Sequence, residues 1–201
     1  MPKLLDKIKK YSNGTFDKHS DLYKNLASGQ APHTLLIICS DSRLCPSEFS
    51  ESSGNELFVI RNAGNLMPSY NSESPSNEGL TLEYGVCALG IKEVILCGHK
   101  SCGAINGLMD TSKLDSLPLV KKGLENFKAL HKEELETIDD LDDLISWNVE
   151  TQLLSIATYP FIKERLIKNE LLVQGLVYDF TKGSVFEVCR LDQSGHISKK
   201  L

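Results

Sequence analysis

The chain has 201 residues, 41% of them hydrophobic, and a formal net charge of −5, enough length and apolar content to bury a core without a disulfide or structural metal. The acidic balance, with no clustered basic face or RNA-binding signature, argues against a nucleic-acid partner, which needs a concentrated positive field. No apolar run approaches the roughly 18 residues of a membrane span, and the opening MPKLLDKIKK has no apolar signal core, so the expectation is a cytoplasmic protein with no membrane partner.

In chain order, Leu4, Leu5 and Ile8, then Leu22, Tyr23 and Leu26, recur at helical intervals across 3–27. They predict two helices broken near Asn13 and Gly14. This N-terminal helical arm (1–30) precedes the rest of a single domain (31–201). Continuous apolar runs at 34–38, 57–60 and 94–96 have strand length and read as strands buried on both faces. Residues 62–77, rich in Asn, Ser and Pro, predict a long loop, which in a compact domain is functional or covers something. A helix is expected over 78–89, with Asn77 as N-cap and Gly90 as terminator. Further helices are expected over 119–135 and 141–158, where Asp139, Asp140, Asp142 and Asp143 suit a helix start better than a cation site. Strands over 171–178 and 185–190, joined by a turn at Lys182, Gly183 and Ser184, complete an α/β fold: a central, mainly parallel β-sheet flanked by helices.

Six cysteines, Cys39, Cys45, Cys87, Cys97, Cys102 and Cys189, at this size and without a signal peptide read as thiols or metal ligands in a reducing compartment. Two short runs concentrate chemistry. CSDSR (39–43) begins where the first strand ends, and GHKSCGA (98–104) where the third ends. Strand carboxyl ends line the crevice where open α/β sheets bind ligands. If the runs face each other, Cys39, His99 and Cys102 form a two-thiolate, one-imidazole set suited to zinc, with a fourth position open as in catalytic sites. Gly98 and Gly103 are expected to let the backbone turn so that the donors converge. A helix starting at Cys102 is expected to lower its thiol pKa. Cys45, Cys87, Cys97 and Cys189 read as core thiols, and His19, His33, His131 and His196 as ordinary histidines. There is no phosphate-binding GxxxxGK[ST] loop, no C-x-x-C redox pair and no paired-cysteine zinc knuckle.

CSDSR, NELFVIRN (55–62), LEYGV (82–86), GHKSCGA, TYPFIKERL (158–166) and GLVYDF (175–180) together resemble the β-class carbonic anhydrases, most closely the plant-type branch, over roughly 30–188. The resemblance implies zinc, one per chain, on Cys39, His99 and Cys102, an Asp41–Arg43 catalytic dyad, and reversible hydration of carbon dioxide to bicarbonate and a proton. It also implies that Gln30, Phe58, Ala63, Tyr84 and Gly103 bind substrate, and that a neighbouring subunit completes the pocket, so that the chain is a homodimer or higher oligomer. Asn62-Ala63-Gly64-Asn65 stands where Asn-Val-Ala-Asn is commoner, and Lys100 stands where a small residue is usual.

Physically, an ionised Asp41 accepts a hydrogen bond from the attacking water and aims it, and Arg43 keeps Asp41 ionised through a fork-shaped contact. The apolar Phe58 and Tyr84 suit a linear, non-polar substrate. Family members shut by bicarbonate resemble one another in a pocket with a tryptophan three residues before the first zinc cysteine. Leu36 occupies that position here, with Arg61 and Tyr178 matching the other two pocket residues, so the expectation is an Asp41 held by Arg43 and no cooperative bicarbonate inhibition. The rival readings are a carbonyl sulfide or carbon disulfide hydrolase on the same site, and a non-catalytic zinc- or thiol-sensing protein.

Overall fold

The computed structural model describes residues 3–53 and 55–199, with the side chains of residues 15, 18 and 19, His19 among them, outside that description. The chain forms two compact units, Met1–Ala31 and Pro32–Leu201. In the first, α1 (Leu4–Lys10) runs into a wide turn at Tyr11–Thr15 and a tight turn at Phe16–His19 before α2 (Ser20–Leu26). The break falls where it was expected, at Gly14, whose φ of 168° and ψ of −36° leave the helical region. Phe16 stacks on Tyr23 with ring centroids 5.7 Å apart, a local contact that holds the bend.

The second unit is built on a six-stranded sheet. β1 (Thr34–Cys39) leads through the single turn α3 (Pro46–Phe49) to β2 (Leu57–Asn62). Then come α4 (Asn77–Glu83), continued by a wider turn at Tyr84–Ala88, and β3 (Glu93–His99). Four helices follow: α5 (Gly103–Met109), α6 (Pro118–Leu130), α7 (Lys132–Leu135) and α8 (Leu141–Ala157). The chain ends with α9 (Pro160–Ile167), β4 (Leu172–Asp179), β5 (Ser184–Leu191) and β6 (Ile197–Lys199). The sheet order is β2-β1-β3-β4-β5-β6. The first four strands are parallel, and β5 and β6 are added antiparallel. The chain leaves β1 on one side for β2 and returns on the other side as β3. That reversal opens a crevice at the carboxyl ends of β1 and β3.

Burial follows position in the sheet. Every residue of β1 is buried, as a central parallel strand covered on both faces requires. β2 departs from the expectation of burial on both faces: Val59 and Arg61 are exposed, because β2 is the edge strand. α8 packs across β3, β4 and β5, and two glycines set how closely. A Cβ on Gly98 would lie 2.8 Å from Val149 Cγ2, and one on Gly175 2.5 Å from Val149 Cγ1. Glycine on both strands therefore lets the helix approach the sheet.

The ends of several helices differ from the sequence reading. Ser76, not Asn77, caps α4, its Oγ accepting from Gly79 N–H at 3.0 Å. The helix expected over 119–135 breaks at His131, which leaves helical geometry with φ −127° and ψ 32°. Asp140 caps α8, accepting from the N–H groups of Asp142 and Asp143 at 2.7 and 3.1 Å, so the acidic run is a helix start. Neither α9, begun by Pro160 at its first turn, nor the three-residue β6 was foreseen. No helix among the described residues is long and apolar enough to cross a membrane.

Candidate active site

The crevice at the ends of β1 and β3 gathers the three expected donors. Cys39 is the last residue of β1 and His99 the last of β3, while Cys102 immediately precedes α5. One ligand atom from each lies within 4.8 Å of the others, and all three residues are buried. The turn that brings His99 and Cys102 together is not made by the flanking glycines. Ser101 makes it, in the left-handed region at φ 56°, whereas Gly98 serves the approach of α8.

The donor set fits zinc. Cys39 Sγ and Cys102 Sγ are 3.9 Å apart, close to the roughly 3.8 Å expected for two sulfurs bonded at ~2.3 Å to a tetrahedral zinc. His99 Nδ1 donates to Lys100 O at 3.0 Å. A carbonyl only accepts, so that bond places the proton on Nδ1 and leaves Nε2 with its lone pair. Nε2 is buried with no hydrogen-bond partner among the described residues, a costly arrangement unless something coordinates it.

Backbone amides surround both sulfurs. Gly64 N–H donates to Cys39 Sγ at 3.3 Å, and Asp41 N–H also faces that sulfur. Ala104 and Ile105 N–H groups, at the start of α5, face Cys102. The hydrogen bond from Cys102, joined by His99 and these amides, pulls the Cys39 thiol well below its ordinary pKa despite burial. Cys102 moves the opposite way to the sequence expectation: its bond to Cys39 and its burial raise it, outweighing the amides. Two thiolates 3.9 Å apart repel each other, which favours one shared proton until a cation takes its place.

Asp41 and Arg43 form the expected fork. Arg43 Nε donates to Asp41 Oδ1 at 2.9 Å, Nη2 to Oδ2 at 2.6 Å, and Arg43 N–H to Oδ1 at 3.0 Å. These bonds hold the Asp41 carboxyl well below the usual carboxylate range. Asp41 Oδ2 lies 4.0 Å from His99 Nε2, so the carboxylate borders the face where the donors converge. The guanidinium is itself fixed by Ser101 O at 3.2 Å and by the Phe180 ring, 4.4 Å from Cζ. Arg61, matched in the sequence only to an anion pocket, donates to Cys39 O at 2.9 Å, Asp41 O at 3.0 Å and Leu44 O at 3.3 Å. It organises the 39–44 turn, a role that only the fold reveals.

The expected substrate residues divide. Gly103 opens α5 beside Cys102, and Ala63, next to Gly64, lines a cavity of about 420 Å³ with Leu66, Phe127 and Leu130. Phe58 and Tyr84 are not brought to these donors. Phe58 pairs with Leu35 on β1, whereas Cys39 pairs with Asn62, so Phe58 sits about 13 Å down the strand at ~3.3 Å per residue. Its ring lies 6.1 Å from that of Tyr84. Gln30 lies in the first unit and is exposed.

Of the four cysteines read as core thiols, Cys97 and Cys189 are buried, and burial pushes both up to about 12. Cys45 and Cys87 are exposed. Cys45 stands just before a one-turn helix and Cys87 lies in the wide turn after α4, so neither is a core residue. His33, His131 and His196 have local partners in Thr34, Trp147 and Ser194. Lys100 is engaged as well, pairing through Nζ with Asp142 at the start of α8.

The carbonic anhydrase family model matches residues 34–185. A carbonic anhydrase of Synechococcus elongatus is 37% identical over 197 residues, covering 94% of this chain and 72% of that protein. The structure of the β-carbonic anhydrase CcaA superposes with a TM-score of 0.83 at 35% identity, covering 98% of this chain and 91% of the other. A tetrameric β-carbonic anhydrase from Sordaria macrospora superposes at 0.75 with 28% identity, covering 92% and 94%. With the match spanning the sheet, the crevice and both sequence runs that line it, this chain belongs to the β-class carbonic anhydrases.

Proposed function

We propose that the chain hydrates carbon dioxide reversibly at a zinc ion held by Cys39, His99 and Cys102, with Asp41 and Arg43 as its catalytic dyad. One observation carries this reading: a buried, unpartnered imidazole nitrogen shares a crevice with two sulfurs 3.9 Å apart, beside a carboxylate held in an arginine fork. Zinc bound there supplies the Lewis acidity that lets water act as a nucleophile near neutral pH.

The chain's own groups do the rest. Asp41, kept ionised by Arg43, accepts a hydrogen bond from the attacking water and so fixes where its lone pair points. Because the fork contacts both carboxylate oxygens, the carboxylate cannot rotate freely, and orientation is set before substrate arrives. Ala63 would contribute apolar wall, and Gly103, at the start of α5 beside Cys102, would leave room for substrate. Phe58, Tyr84 and Gln30 act on a neighbouring subunit's crevice. That assignment accounts for Phe58 and Tyr84 lying far from this chain's own donors, and the tetrameric relative supports self-association. Residues 1–30 are an arm of the same catalytic domain, and the unpaired thiols suit a reducing, cytoplasmic setting.

Stopped-flow carbon dioxide hydration combined with metal analysis tests the reading. The expected result is about one zinc per chain, rapid hydration, and slower turnover of carbonyl sulfide. A zinc-loaded chain that does not hydrate carbon dioxide, or one that binds no zinc, overturns it.

A further inference from the structure

A series of buried amides on α8 has no part in the chemistry described so far. Asn148 and Gln152 stand one turn apart, each 1% exposed, on a helix that otherwise turns Leu144, Ile145, Val149, Leu153 and Ile156 inward. Two primary amides in such surroundings are costly unless their polar atoms are paired. Gln152 Nε2 donates to Asn148 Oδ1 at 3.0 Å, and both residues reach the loop that follows β2. Met67 N–H donates to Gln152 Oε1 at 2.7 Å, and Asn148 Nδ2 donates to Gly64 O at 3.3 Å. Gly64 in turn is the residue whose N–H meets Cys39 Sγ. The hydrogen bonds therefore run in series from the helix, through the N–H and C=O of one residue, to a sulfur.

The loop needs this support. Gly64 and Asn65 both occupy the left-handed region, at φ 82° and 49°. For Asn65 that conformation persists only where its surroundings impose it. A Cβ on Gly64 would lie 3.2 Å from Ile105 Cδ1 and 3.3 Å from Ala104 Cβ, so the peptide is wedged against α5 on one side and tied to α8 on the other.

We propose that Asn148 and Gln152 are positioning residues for Cys39, holding the 64–67 segment so that the Gly64 N–H stays on the thiolate. This rests on the reading of Cys39 as a zinc ligand. The bond directs the sulfur lone pairs and draws charge from a thiolate that, with its neighbour, nearly cancels the charge of a zinc ion. Partners of this kind, one shell beyond the ligands, tune both affinity and electronic character.

The test uses the full chain loaded with zinc and, separately, with cobalt(II). Asn148→Leu should release zinc to a chromophoric chelator about tenfold faster or more. Its thiolate-to-cobalt charge-transfer band should move to longer wavelength, because a sulfur that has lost its N–H partner holds its electrons less tightly. Gln152→Met should show both changes at smaller size, since Asn148 still reaches Gly64. Thr151→Val, a buried change on the same helix outside the series, should match the parent. A folded Asn148→Leu or Gln152→Met with the parent's release rate and band position would overturn the proposal, as would a Thr151→Val that changes equally. If Asn148→Leu does not fold, Gln152→Met decides by the same two readouts. A parent chain that binds neither metal overturns the zinc reading instead, a separate failure.

Discussion

The carboxyl ends of β1 and β3 and the outer face formed by β2 and α4 are built on opposite terms. At the crevice, Asp41 is held in a fork by Arg43, Arg61 ties down three carbonyls, and His99 is held by Lys100. Those interactions all come from within one chain. On the outer face, Val59 on the edge strand, Leu80 on α4 and Tyr84 in the turn after it are 38%, 51% and 52% exposed, apolar groups of the kind that association between chains would cover. The difference teaches that the polar groups around the donors are fixed by the chain's own side chains, whereas the outer face is left with apolar groups in solvent, as the proposed self-association requires.

The largest expected effect breaks the first region alone. Cys39→Ser or His99→Ala should lose most of the zinc and nearly all hydration while leaving the sedimentation coefficient unchanged, as read by metal analysis and ultracentrifugation. Full zinc occupancy in either variant would remove the ligand assignment. Next, Asp41→Asn keeps the shape but turns an acceptor into a donor. Hydration should fall by about 10²-fold or more, the size typical of a lost acid–base partner, with zinc retained. Near-normal turnover would reduce the Asp41–Arg43 fork to a structural ion pair.

A smaller, concentration-dependent effect probes the second region. Val59→Lys combined with Leu80→Glu places charge on the outer face and should shift the protein toward monomer at micromolar concentration. Zinc content should stay the same, and specific activity should fall on dilution. A fully active monomer would separate that face from catalysis.

The smallest effect concerns acid stability beside the crevice. Asp179, at the end of β4, accepts from Thr181 Oγ1 at 2.6 Å and Thr181 N–H at 3.0 Å, and these bonds lower its pKa. A carboxyl whose folded pKa lies below its unfolded value, near 3.9, adds stability above that value and loses it as pH falls through the folded one. Asp179→Asn should therefore lower the urea midpoint by a constant amount between about pH 5 and 7, and the gap to the parent should narrow progressively as pH falls below about 4. A gap that does not narrow at all as pH falls below about 4 would show that the side chain acts by shape rather than by charge.

How much of this was legible beforehand depended on whether the signal was local. Apolar runs that end in Cys39 and His99 marked the strands and the chemistry at their ends, because period and composition are properties of neighbouring residues. Gly14 marked the break in the arm for the same reason. The helix from Pro160 to Ile167, at eight residues, is too short to carry a clear period, and β6, at three, offers too short a pattern to register.

By itself, then, the sequence determined which residue types could serve: the Cys39, His99 and Cys102 donors, the Asp41–Arg43 spacing that allows a fork, and the buried strands that carry them. Tertiary structure alone decided that Ser101, not a glycine, makes the turn, that Arg61 spends its guanidinium on the 39–44 backbone, and that Phe58, with Tyr84 beside it, stands well down the strand from the donors. It also decided which amides stand behind Cys39. The reason is physical. Ligand chemistry is carried by side-chain identity, whereas the pairing of a buried polar atom depends on what the fold brings within about 3 Å of it, and such partners come from segments tens of residues away.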